Sequence, residues 1–406
     1  MNAIELFAGA GGLALGVGLA GFKSLAVVEW DKWSCDTIRQ NKARGYPLVA
    51  DWPLHEGDVR NFDWSSLPPG IDLLAGGPPC QPFSMGGRHR AHDDMRDMFP
   101  ATVEIVRKLR PRAFIVENVK GLTRSSFANY FQYIQLQLEF PEVKRRNAEG
   151  WFDHLLRLQA EHTSGRLHGA GLTYNVVPTL VNAANYGVPQ KHERVFLVGF
   201  RSDLAVNWSF PAQTHSEDAL FHDQWITGNY WERHHVAKKE RPTRPANIDT
   251  KTKRLGQASL FECARPWRTI RDALIGLPDP ESGSAHSFGD HIFQDGARTY
   301  HGHTGSPIDL PSKTLKAGDH GVPGGENMLI KTNGEPRYLS IREAARVQTF
   351  PDGYVFHGSW SETMRQLGNA VPVALGHVVA RSVAESLLLK DMANLSSQQV
   401  RMRDVA

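Results

Sequence analysis

The residue best placed to do chemistry is Cys80, in the run Gly76-Gly77-Pro78-Pro79-Cys80-Gln81-Pro82-Phe83-Ser84. Each proline locks its own φ near about −65° and restricts the residue before it, while the paired glycines let the backbone come close to a ligand. A thiol held that still suits an attacking nucleophile. The thiolate is the reactive form and a free thiol titrates near about 8.5, so attack at neutral pH needs a modest activating field or coupled proton loss.

Other motifs offer partners for such a thiol. Phe114-Ile115-Val116-Glu117-Asn118-Val119 carries an apolar run into a carboxylate. Burial there raises the pKa of Glu117 toward that of a usable proton donor, and a Glu capping a following helix is the plainer alternative. Phe7-Ala8-Gly9-Ala10-Gly11-Gly12-Leu13 follows a strand-like run and opens a helix, which turns backbone N–H groups toward a cofactor. Across proteins such a turn most often serves nicotinamide or flavin. Glu29 stands where a ribose diol would be gripped, or is an ordinary carboxylate at a strand end. Asp58, in Glu56-Gly57-Asp58-Val59, can accept from an adenine amino group or simply make a turn. In Gln190-Lys191-His192-Glu193-Arg194-Val195, alternation puts Gln190, His192 and Arg194 on one side, against a reading as solvated charge. Gln366-Leu367-Gly368-Asn369-Ala370-Val371-Pro372 leads into a last helix, where Asn369 and the backbone near Gly368 can close a cofactor pocket or mark a loop-helix boundary.

The elements that must position these residues follow an α/β pattern. Strand candidates are Ala3–Phe7, Leu25–Glu29, Ile71–Ala75, Ala113–Glu117 and Val195–Phe200, with helical segments at Asp31–Ala43 and Met95–Leu109. Cys80 then sits in a loop at a strand's carboxyl end, where open α/β sheets place ligands. A charged segment at about 129–167, with Trp151, Leu155 and Leu158 at helical spacing, reads as an inserted helical arm. After about Phe200 periodicity fades into Trp, His, Gly, Pro and clustered basic residues, which suggests a smaller loop-rich domain over 200–337. Helical patterning returns in Ile341–Thr349 and Val373–Leu389, so 338–406 is expected to pack back on the 1–199 domain.

With 406 residues the chain can bury a full core. Its 46 Lys+Arg against 43 Asp+Glu leave a net charge of +3, too mild to prove a polyanionic partner. Only Cys35, Cys80 and Cys263 occur, which argues against a disulfide framework and for a reducing, cytoplasmic setting. No stretch reads as a signal peptide or membrane span, and no metal site is expected.

In this order the motifs resemble those of the DNA (cytosine-5)-methyltransferases, over Met1 to about Phe200 and again from about Tyr338 to Ala380. The lone-chain size matches the bacterial restriction-modification type. The resemblance implies a Rossmann-like S-adenosylmethionine-dependent sheet with helices on both faces, plus a target recognition domain. It implies that Phe7, Ala8, Gly9, Gly11, Gly12, Leu13, Glu29, Trp30, Asp58, Val59, Pro79, Asn369 and Ala370 bind the cofactor. It further implies Cys80, Glu117 and Arg194 as catalytic, with Gln81, Ser84, Asn118, Gln190 and His192 facing substrate. Cys80 would add to C6 of a flipped-out cytosine in a short double-stranded DNA sequence while Glu117 engages N3 and Arg194 holds the base. A cognate restriction endonuclease is an expected companion. Among the basic residues of 200–337, Lys238, Lys239, Arg241, Arg244, Lys251, Lys253 and Arg254 are candidate phosphate contacts. Trp208, Trp225, Tyr230 and Trp231 are core or base-contacting. The family's Gln-x-Arg-x-Arg pattern has His192 here at its first arginine. Alternatives are methylation of cytosine in RNA and a silent DNA-binding scaffold; the intact Cys80, Glu117 and Arg194 set argues against the scaffold.

Overall fold

The computed structural model describes residues 1–79, 97–165, 171–246, 248–256, 264–317 and 325–403. Cys80, Gln81 and Ser84 therefore lie outside the described residues, as does Cys263, and so does the side chain of Arg254.

Short runs rich in apolar and β-branched residues build one seven-stranded sheet. Its strands are β1 (Asn2–Leu6), β2 (Lys23–Glu29), β3 (Leu54–Glu56), β4 (Leu73–Gly76), β5 (Ala113–Val119), β6 (Tyr174–Asn182) and β7 (Glu193–Arg201). They lie in the order β3-β2-β1-β4-β5-β7-β6, and β7 alone runs antiparallel to its neighbours. The order reverses between β1 and β4, so the crevice at their carboxyl ends is the natural ligand site of such a sheet. The loops leaving those two strands are the glycine loop after Leu6 and the Gly77-Pro78-Pro79 segment that leads into Cys80.

Helices cover both faces. On one, α1 (Gly12–Leu19) and α12 (Val373–Arg403) bury Leu13, Val17, Leu375, Val379, Val383 and Leu387 against Leu73, Ala75 and Ile115. Their axes come close because a Cβ on Gly12 would sit 2.3 Å from the Val371 carbonyl oxygen and one on Gly16 would sit 2.5 Å from the His377 nitrogen. The opposite face carries α3 (Phe99–Leu109), α4 (Ala128–Glu139) and α5 (Trp151–Ser164). Along the sheet's other end, α2 (Lys32–Ala43) starts at Asp31, whose carboxylate caps the Ser34 N–H at 2.9 Å.

Three features depart from the sequence reading. The segment expected as an inserted arm forms α4 and α5, and Ile134, Leu136, Leu138, Leu155 and Leu158 are buried in the same core as β1, β4 and β5. Its exposed charges and glutamines mask that apolar face. Strand β6 has no counterpart in the expectation because Pro178 interrupts its pattern; it is tolerated because β6 is an edge strand. The third concerns the membrane. By length and mean hydropathy (1.3) the helical stretch Trp360–Ser396 qualifies as a candidate span, contrary to the expectation, yet 56% of its apolar window is buried, with α12 packed on the sheet.

Beyond β7 the chain forms a short parallel pair, β8 (His215–Ser216) with β9 (Arg265–Pro266), and the helices α6 (Glu217–Phe221), α7 (Asn229–Arg233) and α8 (Ile248–Gly256). Their core is small: Leu220, Tyr230, Trp231, Val236 and Trp267 pack with Ala184. From α9 (Ile270–Ala273) onward the packing changes. Ile270, Leu315, Leu329 and Leu339 share a core with Ala14, Leu15 and Val27 of the sheet domain. A three-stranded sheet, β10 (Ser306–Pro307), β11 (Met328–Ile330) and β12 (Pro336–Tyr338), precedes α10 (Ile341–Val347) and α11 (Trp360–Asn369).

Candidate active site

The glycine loop after β1 needs left-handed backbone: φ is +53° at Phe7, +54° at Gly9 and +89° at Gly11. A Cβ on Gly9 would meet nothing within 4 Å among the described residues, whereas one on Gly11 would press on Trp52 at 3.0 Å. The loop is held from behind by Tyr354, whose hydroxyl donates to the Ala10 carbonyl at 2.7 Å.

Glu29 closes the loop from β2. Its carboxylate accepts the N–H of Gly9 at 2.7 Å, of Trp30 at 2.9 Å and of Asp31 at 2.7 Å. Burial pushes its pKa up, and those three N–H donors oppose the shift. Trp30 beside it is 69% exposed, a large aromatic side chain left at the surface. Asp58 follows β3 and is engaged by Arg60 at 2.5 Å, which holds its carboxyl below the usual range. Leu13 and Val59 have their side chains in the hydrophobic cores, so only their backbone is left to face a cofactor. Asn369 is exposed at the end of α11, while Ala370 is buried near Gly12. Gly368 allows a tight crossing, since a Cβ there would lie 2.5 Å from the Ala317 nitrogen.

At the ends of β4, β5 and β7 a second group forms. The Glu117 carboxylate accepts from Arg194 Nε at 2.8 Å, and both side chains are largely buried. Burial raises the Glu117 pKa and the guanidinium opposes it. Arg194 stays charged because guanidinium is not deprotonated in proteins. A Cβ on Gly77 would fall 2.8 Å from Glu117 Oε2, so the residue three before Cys80 is packed directly on this carboxylate. Asn118 Nδ2 donates to the Pro78 carbonyl at 2.9 Å, pinning the same segment, and its Oδ1 accepts the Val119 N–H at 2.9 Å. Pro79 accepts a long contact from the Met98 N–H at 3.5 Å. Gln190 and His192 are fully buried, and the His192 Nδ1 lies 2.6 Å from Gln190 Oε1.

The two groups lie at the ends of neighbouring strands of one sheet. The sequence profile of the C-5 cytosine-specific DNA methylases matches residues 1–141 and 147–385. The chain belongs to that family. It is 29% identical over 399 residues to the type II methyltransferase M.PspPI of a Psychrobacter species, covering 95% of this chain and 79% of that one. It is 29% identical over 412 residues to M.FnuDI of Fusobacterium nucleatum, covering all of both. Among solved structures, an Escherichia coli prophage protein described as a DNA modification methyltransferase shares the fold with a TM-score of 0.56 at 21% identity, covering 95% of this chain and 99% of that one.

Within the methylase, sequence reasoning missed two positioning residues. Tyr354 had no motif to flag it. Gly77 was noted only as part of a glycine pair, and its contact with Glu117 becomes visible only when β4 and β5 are paired.

Proposed function

We propose that the methylase flips its target cytosine from the duplex and attacks C6 with Cys80, in a short double-stranded recognition sequence. The observation that carries this reading is the Gly77–Glu117–Arg194 packing: the segment entering Cys80 lies against a buried carboxylate with raised pKa. Addition of the Cys80 thiolate to C6 moves the ring electrons toward N3, which takes a proton from Glu117. The product is an enamine whose C5 is nucleophilic. Arg194 holds the carboxyl and offsets developing negative charge on the base. After C5 has gained its methyl group, a base takes the C5 proton as Cys80 leaves as thiolate and the C5=C6 bond re-forms, and N3 returns its proton to Glu117. Extrusion of the base costs about a few kcal/mol.

The cofactor crevice fits S-adenosylmethionine. The backbone of Phe7, Ala8, Gly9, Gly11 and Gly12 and the exposed side chain of Trp30 would hold its nucleoside, with Glu29 and Asp58 on the ribose and adenine side and Pro79, Asn369 and Ala370 at the rim. When bound it supplies an electrophilic sulfonium methyl group. We assign 200–337 to target recognition, with its own core confined to Leu220–Trp267, and expect a cognate endonuclease for the same sequence.

The test is a duplex carrying 5-fluorocytosine at the target position, because fluorine cannot leave as a proton does. With the cofactor present, a denaturation-resistant protein–DNA adduct is expected, lost in Cys80→Ala. An active enzyme that forms no adduct would overturn the covalent route.

A further inference from the structure

Residues 292–303 leave the fold and return to it without a helix or strand of their own. They carry the most exposed large apolar side chain among the described residues: Ile292 is 74% exposed, and Phe293 and Tyr300 are exposed with it. Both ends of this excursion are fixed. At the first, the buried His291 holds the Ser340 hydroxyl at 2.7 Å from Nδ1 and the Pro278 carbonyl at 2.8 Å from Nε2, while the Asp290 carboxylate accepts the Phe356 N–H at 3.0 Å. At the second, Lys313 donates from Nζ to the Thr304 hydroxyl at 2.7 Å and from its N–H to the Ser306 hydroxyl at 3.0 Å. Ser312 beside it pairs with Gln190: the Lys191 N–H donates to the Ser312 carbonyl at 2.7 Å, and the Ser312 N–H donates to Pro189 at 3.0 Å. The return stem is thereby bound to the segment that runs into β7 and Arg194.

The free end is a tight hairpin. Tyr300 and His303 exchange both backbone hydrogen bonds, at 3.2 and 2.8 Å, and their rings lie 4.3 Å apart. Gly302, with φ of +80°, takes the position that a type II turn gives to glycine. The side chains of Arg298 and His301 are exposed, and neither has an ion-pair or hydrogen-bond partner among the described residues. The aromatic and basic residues earlier in the target region are engaged within the fold instead. Tyr230 and Trp231 form its core, and Trp208 packs on the sheet domain. Lys251 lies over the Phe221 ring at 4.5 Å and 3.3 Å from Asp218, and Arg241 covers Trp231 at 5.8 Å. Sequence is read by side chains free to meet base edges from a fixed loop. A hairpin is two chain segments wide, which the major groove of about 12 Å admits and the minor groove of about 6 Å does not.

We infer that residues 292–303 read the DNA sequence: the hairpin enters the major groove, where Arg298, Tyr300 and His301 meet base edges, and the return stem sets it relative to the strand that carries Arg194. The inference deepens the assignment of 200–337 to target recognition and rests on it. It also moves base reading away from Trp225, Tyr230 and Trp231. The test is bisulfite sequencing of genomic DNA from a methylation-free host that expresses the full-length wild type, Arg298→Ala, Tyr300→Ala or His301→Ala. Each sample yields the ratio of methylation at the wild-type sequence to methylation at sequences one base away, a ratio that does not depend on how much enzyme folds. It should fall by about tenfold or more in at least one of the three variants, which relaxes one position of the sequence, and should hold in Lys238→Ala with Lys239→Ala. For a variant that methylates nothing, the purified protein is given a duplex with the wild-type sequence and a competing duplex with one base changed, and binding reads the same discrimination. Wild-type discrimination in all three hairpin variants would overturn the inference. A wild-type protein that methylates no cytosine in DNA would overturn instead the function on which it rests.

Discussion

The strand ends of the sheet and the segment after β7 are built on opposite plans. Around β1, β4, β5 and β7, charged and polar side chains are buried and bonded to named groups: Glu29 to three N–H donors, Asn118 to Pro78, Glu117 to Arg194. Between His215 and Trp267 the buried residues are mainly aromatic and aliphatic, and the basic side chains Lys238, Lys239 and Arg244 are exposed. The first plan fixes atoms to a fraction of an ångström, the precision that catalysis by proximity and orientation requires. The second is a small apolar core beneath an exposed basic surface.

The largest effect should follow from damaging the first plan at its centre. Glu117→Gln keeps shape and hydrogen-bonding reach but cannot donate a proton in the same way, so kcat should fall by about 10²–10⁴-fold with cofactor affinity held. Its pH dependence should follow the sign of the shift. Burial raises the Glu117 pKa, so the protonated donor persists into higher pH than for an exposed glutamate, and kcat falls as pH rises through that raised value. An unchanged kcat in Glu117→Gln would remove the carboxyl from proton transfer.

Gly77→Ala probes the same packing with one methyl group. The new Cβ would lie 2.8 Å from Glu117 Oε2, and the carboxylate, pinned by Arg194, has little freedom to yield. A loss of about tenfold in kcat is expected, on the scale of a sub-ångström misplacement. Full activity in this variant would mean that the carboxylate has room to move and that its packing on the Cys80 segment is incidental.

How much of this was readable beforehand depends on where each signal resides. Glu117 and Arg194, which the structure pairs, and the glycines of the turn after β1 carry their signals in their own residue types, so a linear reading singles them out. Gly77 matters through a carboxylate 40 positions away, and Tyr354 through a carbonyl 344 residues away, meetings that exist only after β4 pairs with β5 and the segment following α10 reaches the glycine loop. The same holds for α4, whose buried Ile134, Leu136 and Leu138 are interleaved with glutamines, and for β6, where Pro178 breaks a strand that only an edge position permits. The loop-rich texture after Phe200 was legible, but not that Ile270 and Leu315 return to the sheet domain's core.

On the second plan, removing surface charge should cost affinity and leave chemistry alone. Lys238→Ala with Lys239→Ala should weaken DNA binding by a few-fold and reduce the salt dependence of log K by about one for each phosphate no longer neutralised, at constant kcat on saturating DNA. A salt slope identical to wild type would place these lysines off the DNA path.

The smallest effect is expected from Glu5, in the middle of β1, where it pairs with Val27 and Ala75. The side chain is buried and Oε1 has no hydrogen-bond partner among the described residues, so burial pushes its pKa well above the carboxylate range. Because the folded-state pKa exceeds the unfolded one, the folded protein binds the extra proton. Glu5 therefore penalises stability least below the unfolded-state pKa, and the penalty grows as pH rises from there toward the raised folded value. Glu5→Gln is neutral at every pH. It should stabilise the protein by about 1 kcal/mol at neutral pH, and the gain should shrink toward zero below about pH 4. Thermal denaturation of both proteins from acid to neutral pH measures the difference directly. A gain that does not vary with pH would mean the residue is not titrating, and a net destabilisation would mean that the glutamate, like Glu29 and Glu117, is held by an interaction its amide cannot replace.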